Sequence, residues 1–458
     1  MSDSPETRFD RLSEFVVEVM EKKGVPGVVV GLLYEGETYA AGFGVTNVEH
    51  PLPVTDETLF QIGSITKTFT GTAMMRLTEM GKLNLDTTVR TYLPDFKVAD
   101  ETASSQATLR HLLTHTSGWV GDLFEDTGAG ADALPKYMAK MANLEQLAPI
   151  GTVWSYNNSG FYLAGYVIEA VTGQSYQTAL SELVLEPLGL ENVYFDPGDV
   201  MTHRFAVGHR VTEEGAQVAL PWPLPRAAHS AGGITCQVRD LLRYARFHMG
   251  DGTTEDGTGL LKPGSLSLMR SPQVAIWGEE EAMGLAWFVR DVDGTRTISH
   301  GGGTVGQVSL LTLVPDRDFA VAVLTNANRG GSVTNRVSRW ALKECLGLES
   351  PDPTPIESSV EDLAPYVGRY VRPFQDIELG ILGGRLVGQV TPKGGFPSHD
   401  SPVPPPPAPM SLALCEPDRL LVLDGPMKDS RAEAIRKADG SIGWLRASGR
   451  IHRRETCS

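Results

Sequence analysis

At 458 residues the chain has room for two or three domains and at least one large core, which excludes a small disulfide-stapled module. Its composition, 41% hydrophobic and 21% charged with 49 Gly and 30 Pro, is that of a globular protein rich in turns and excludes wholesale disorder or a collagen-like repeat. Lys plus Arg number 40 against 56 Asp plus Glu, and the resulting formal charge of -16 repels phosphate backbones and anionic bilayers, so neither nucleic acid nor membrane is expected as a partner.

The chain opens on an acidic, polar stretch, MSDSPETRFDRLSEF, where a signal peptide would carry basic residues and an apolar run, so a cytoplasmic location is expected. Cys236, Cys345, Cys415 and Cys457 are widely spaced and form no C-x-x-C pair, which reads as free thiols with no metal site. A helix ending at Lys23-Gly24 is followed by a hairpin over 26–45 that turns at Tyr34-Glu35-Gly36-Glu37. Apolar residues at helical spacing over 64–82 predict a buried helix, and further helices are expected near 160–173, 238–249 and 331–346. Two apolar runs around Pro315-Asp316-Arg317-Asp318 predict a second hairpin. Strands at both ends of a region with helices between them indicate an α+β domain over 1–347.

The segment ESPDPTPIESS breaks this periodicity and reads as a linker over 348–360. Residues 361–458 differ in texture, with short strands at 366–371, 377–382, 385–390, 412–414 and 419–423, and suggest a small β-barrel. Within it SPVPPPPAPM, 401–410, predicts a stiff polyproline arm, expected to narrow a substrate cleft.

Three segments carry candidate chemistry. Ser64 and Lys67 stand one helical turn apart, so hydroxyl and amine can touch, and burial with nearby positive charge would free the amine to take the proton. S-x-x-K recurs by chance in any long chain, but here it opens a helix whose free amide groups favour a developing oxyanion. In GTVWSYNNSG, Tyr156 next to cationic groups is expected to ionise near neutrality as base and acid, with Asn158 as an orienting amide. In Ser299-His300-Gly301-Gly302-Gly303, placed just before the second hairpin, the glycines would admit a substrate and leave an amide donor free. Two other arrangements compete: Ala228-His229-Ser230-Ala231-Gly232 approximates a G-x-S-x-G elbow with Asp291 or Asp293 and His300 downstream, and His111 and His115 stand i, i+4 but lack the Glu of H-E-x-x-H.

Taken together and in this order, the three segments resemble the serine β-lactamase and penicillin-binding-protein superfamily, in particular its class C-like branch with family VIII esterases and D-aminopeptidases. LLTHTSG at 112–118 and SAGGI at 230–234 also match that branch, and the resemblance spans roughly residues 12–346. The tail resembles the lipocalin-like domain appended to some members. The resemblance implies an antiparallel sheet flanked by helices with an all-helical subdomain, then the barrel. It implies Ser64 as acylated nucleophile, Lys67 as its activator, Tyr156 as general base and leaving-group acid, and Asn158 as the group placing Lys67 and the acyl side chain. Amides of Ser64 and Gly303 would form the oxyanion hole, with His300 beside Tyr156, Gly301 and Gly302 among the substrate-binding residues, and no cofactor or metal.

His300 stands where β-lactamases usually keep a lysine. A histidine of ordinary pKa is mostly neutral at pH 7, so capture of a β-lactam carboxylate should weaken by roughly 1.5 to 3 kcal/mol. The expected activity is therefore an esterase or a peptidase acting on small esters, amides or short peptides, with weak β-lactam turnover and with self-association left open. The alternative is a catalytically silent penicillin-binding sensor or scaffold.

Overall fold

The computed structural model describes residues 4–278, 280–394 and 401–455. Its centre is an eight-stranded antiparallel sheet that runs, edge to edge, through Glu37–Gly44, Gly27–Tyr34, Phe319–Thr325, Val308–Val314, Thr295–Gly303, Phe288–Val292, Glu281–Met283 and Val274–Trp277. Both expected hairpins are present, and Val28 to Leu33 pair in register with Thr325 to Ala320, which joins the two ends of the region into one sheet.

Strand Gly27–Tyr34 is buried along its whole length, and the two-residue alternation of a strand divides its side chains between two cores. Val28, Val30 and Leu32 pack with Leu12, Val16 and Val19 of helix Pro5–Lys23 and with Val333 and Val337 of helix Gly330–Leu346. Val29 and Leu33 face the opposite core, which contains helices Thr66–Glu79, Asn158–Thr172 and Val238–Met249. Helix Val238–Met249 lies so close that a Cβ on Gly31 would stand 2.7 Å from Val238 Cγ2. Buried apolar area of this kind is the main stabilising term, roughly 25 cal/mol per Å².

Four strands of this sheet, from Val274–Trp277 to Thr295–Gly303, were not legible from the sequence, and Ser299–Gly303, expected just before the hairpin, proves to be the end of strand Thr295–Gly303. After Gly347, whose φ of +71° ends the preceding helix, residues 351–359 carry no regular element. The tail then closes an eight-stranded barrel from Gly368–Arg372, Gln375–Leu382, Arg385–Pro392, Met410–Glu416, Arg419–Val422, Arg431–Arg436, Ile442–Ala447 and Arg450–Arg454. Its interior is a separate core built around Tyr370, Leu386, Leu412, Leu420 and Leu445.

The barrel is seated on the first region by specific bonds. Trp444 Nε1 donates to the Leu147 carbonyl at 2.8 Å, Arg446 Nη1 donates to the Trp154 carbonyl at 3.0 Å, and Arg453 pairs with Glu145 at 2.8 Å. Among the described residues no helix is long and apolar enough to cross a membrane. Cys236, Cys345 and Cys415 are buried and unpaired; Cys457 lies outside the described residues.

Candidate active site

Ser64 sits in a 3-10 turn, Gly63–Ile65, that runs directly into helix Thr66–Glu79. The turn is pressed against strand Thr295–Gly303. Gly63 has φ +51°, and a Cβ there would meet the Gly303 nitrogen at 2.6 Å, while a Cβ on Gly302 would meet the Ile62 carbonyl oxygen at 1.9 Å. Two of the glycines therefore allow the nucleophile turn and the strand end to approach, whereas Gly303 has open space beside it and is exposed. This refines the expectation that the whole glycine run admits substrate.

Lys67 is fully buried behind Ser64. Its Nζ lies 3.0 Å from Ser64 Oγ and donates to the Ala231 carbonyl at 2.7 Å. Burial, with the positive charge of Arg450 second, holds its pKa well below the ordinary lysine value, against a smaller opposing effect of Asp122. Lowering the pKa of an amine beside a hydroxyl favours its acting as proton acceptor.

Tyr156 covers this pair, with Lys67 Nζ 5.1 Å from its ring centroid. Its backbone is unusually well fixed: the amides of Ser155, Tyr156 and Asn157 donate to His115 O at 2.9 Å, Gly449 O at 2.8 Å and His115 Nδ1 at 3.0 Å. The expectation of a phenol ionised near neutrality is corrected. Burial pushes its pKa above the ordinary value, and the opposing effects of the Ser64 hydroxyl and of Arg450 do not offset it. Its hydroxyl is buried and lies beside the Ser64 hydroxyl.

Asn158 is nearby but not on Lys67; its Nδ2 donates to Asp122 Oδ1 at 2.7 Å. His300 is buried, with its ring centroid 6.2 Å from that of Tyr156, and its Nδ1–H donates to the Gly301 carbonyl at 2.6 Å. Burial, then the charge of Lys67, lowers its pKa to about 3, so it is neutral at any ordinary working pH.

Ser64, Tyr156, Asn158 and His300 to Gly303 all line one cleft of about 1140 Å³. Its lining includes the aromatic and apolar side chains of Trp154, Ile276 and Phe288 and the segment Pro221 and Pro223 to Arg226. The barrel contributes Arg372, Gln375, Arg431, Arg446, Ser448, Gly449 and Arg450. None of the described residues of the Pro-rich 401–410 segment lines it; that segment is tied to the barrel by Gln389 Nε2, which donates to the Pro407 carbonyl at 2.9 Å. Trp222 is not in the wall and gives its indole N–H to the Ala206 carbonyl. Sequence reading missed Arg450, Asp122 and Gly449, because nothing near them in the chain marks them as chemical.

The competing arrangements do not assemble. The Ser230 hydroxyl donates to the Phe161 carbonyl at 2.9 Å, and Asp291, on strand Phe288–Val292, and Asp293, in the turn after it, are exposed. His111 Nδ1 accepts the Thr108 amide in a helix cap. Among the described residues no group of three His, Cys, Asp or Glu side chains is arranged to hold a metal ion.

A family model described as Beta-lactamase matches residues 12–343. The chain belongs to the beta-lactamase family. This family member is 36% identical over 358 residues to "Penicillin-binding protein 4" of Amycolatopsis lactamdurans, a match covering 76% of this chain and 93% of that one. A crystal structure of SurE has a TM-score of 0.79 at 25% identity and covers 99% of this chain and 100% of its own. The octameric penicillin-binding protein homologue from Pyrococcus abyssi has a TM-score of 0.67 at 26% identity, covering 98% and 100%. Both coverages extend past residue 343, so the likeness includes the barrel of this beta-lactamase family protein.

Proposed function

We propose that the chain is a serine hydrolase that works through an acyl-enzyme at Ser64. The observation that carries the reading is the 3.0 Å approach of Lys67 Nζ to Ser64 Oγ, with the amine buried and its pKa depressed. The neutral amine takes the hydroxyl proton as Ser64 Oγ bonds to the substrate carbonyl carbon. The amides of Ser64 and Gly303, on either side of the Gly63 contact, hold the oxyanion. The proton then passes from Lys67 through the Tyr156 hydroxyl to the departing group, and water repeats the sequence in reverse to release the acyl group and restore the serine. Because burial keeps Tyr156 protonated at rest, it serves as a relay that accepts one proton while giving up another.

Esters, amides and peptides without a β-lactam-type carboxylate are the proposed substrates. His300 brings no charge to the third segment, and Arg450, which lines the cleft, is already paired with Asp122. Between a short ester and a peptide the cleft favours the larger, since about 1140 Å³ exceeds the roughly 300–1,000 Å³ usual for drug-sized ligands. A panel of short-chain esters, D- and L-aminoacyl amides, short peptides and nitrocefin, run on wild type and Ser64→Ala, tests this. Turnover of peptides or esters that vanishes in the variant supports the reading; turnover that persists in Ser64→Ala, or none with any substrate, removes it.

A further inference from the structure

Asp122 belongs to none of the three segments that carry the proposed chemistry, yet it joins one of them, through Asn158, to the barrel. Its side chain is 5% exposed and its two oxygens are fully engaged. Oδ1 accepts from Asn158 Nδ2 at 2.7 Å and from Arg450 Nη2 at 3.3 Å. Oδ2 accepts from Arg450 Nε at 3.0 Å and from Arg372 Nη1 at 3.2 Å. Both arginines come from the barrel, and the Arg450 guanidinium carbon lies 4.8 Å from the centroid of the Tyr156 ring.

A carboxylate this buried needs a partner, and one fork-on-fork arginine would suffice. The second arginine leaves the trio of one negative and two positive charges with a net +1, and that surplus lies over the phenol ring. We propose that Asp122 is a positioning residue of the acyl-transfer centre, holding Asn158 with one edge and the barrel's Arg450 over Tyr156 with the other, so that proton transfer at Tyr156 depends on a seated barrel. This rests on the acyl-enzyme reading above.

The charge distribution gives the proposal a sign. The charged or titratable groups around Tyr156 and Lys67 are Asp122, Arg450, Arg372 behind Asp122, and the buried His115 and His300, both of which stay neutral because burial lowers their pKa. Asp122→Asn removes the one negative charge and lets the arginines act unopposed, so the Lys67–Tyr156 pair loses its proton at lower pH. Arg450→Gln removes a positive charge and shifts the pair the other way.

The experiment measures kcat, KM and pH profiles with an active ester or peptide for wild type, Asp122→Asn and Arg450→Gln, with melting temperature and labelling of Ser64 by a fluorophosphonate as controls. Expected are losses in kcat of about tenfold or more in both variants, with KM held within about threefold. The acid limb of kcat/KM should move by about half a pH unit or more, downward in Asp122→Asn and upward in Arg450→Gln. A purely structural latch would lower the melting temperature of both and leave the limbs unmoved or shifted in the same direction, and that result overturns the proposal. Should Asp122→Asn not fold, the limb of Arg450→Gln decides alone: an upward shift supports the proposal, and an unmoved or downward one overturns it. Wild type that turns over substrate without labelling at Ser64 would instead remove the acyl-enzyme reading itself.

Discussion

The backbone N–H of Tyr156 donates to the carbonyl of Gly449 at 2.8 Å, which ties the loop before helix Asn158–Thr172 to the last hairpin of the barrel. Ile451 continues the contact by donating its amide to Ser155 Oγ at 3.2 Å. The barrel is thus a wall of the candidate active site. Its removal is expected to abolish turnover.

Gly449 offers a local test of this wall. It has φ +74°, and a Cβ there would stand 3.3 Å from Trp154 Cη2 and 3.7 Å from Tyr156 Cβ. Gly449→Val combines left-handed strain of roughly 1–2 kcal/mol with displacement of both rings. The expected outcome is a fall in kcat/KM of about tenfold or more, measured by ester or peptide turnover, alongside a melting temperature lowered by only a few degrees.

Gly63→Ala probes the opposite side of the nucleophile. The new methyl would be driven into the Gly303 nitrogen, separating the two amides assigned to the oxyanion hole. Loss of one such donor costs about 10²–10³ in kcat, so acylation rates measured by stopped flow should fall on that scale. Wild-type rates in the variant would place the oxyanion elsewhere.

The pH dependence of rate follows from Lys67. Its folded pKa is depressed, so the amine is neutral and competent above that lowered value, and kcat/KM should climb with pH to a plateau reached well below 10.5. Lys67→Arg keeps a cation that cannot give up its proton and is expected to lose about 10³-fold or more. An acid limb near the ordinary lysine pKa would mean that the amine is not held neutral.

Stability should fall on acidification. His248, His300 and His452 have pKa values lowered to about 3, and His229 to about 4, each chiefly by burial. These groups bind a proton in the unfolded chain below about 6.5 but not in the folded one. Their stabilising contribution is therefore intact above that pH and is lost as pH falls toward 3–4, by up to about 1.4 kcal/mol per histidine per unit. Urea melts at pH 7.5, 6 and 5 should show a steadily lower midpoint; a flat profile would mean that these rings are hydrated.

What was legible and what was not has a physical pattern. Ser64 and Lys67 could be paired from sequence because one helical turn fixes their separation. Helices Val238–Met249 and Gly330–Leu346 follow from apolar spacing, and the hairpin around Pro315 from its turn residues. Strand Thr295–Gly303 was hidden because its three closing glycines carry no side chains to show a strand's alternation, and strands Arg431–Arg436 and Arg450–Arg454 because their charges break the apolar run. Asp122, Gly449 and Arg450 acquire their roles only when the barrel docks, a contact between distant segments that no local spacing encodes. The raised pKa of Tyr156 was missed for the same reason, since it is set by burial.

The most direct measurement is mass spectrometry of the intact protein and its peptides after exposure to a fluorophosphonate, for wild type, Ser64→Ala and Lys67→Met. One adduct per chain on the peptide containing Ser64, absent from Ser64→Ala and strongly slowed in Lys67→Met, is the predicted result. Labelling on another residue, or labelling of Lys67→Met as fast as wild type, would contradict an acyl-enzyme built on this serine and this lysine.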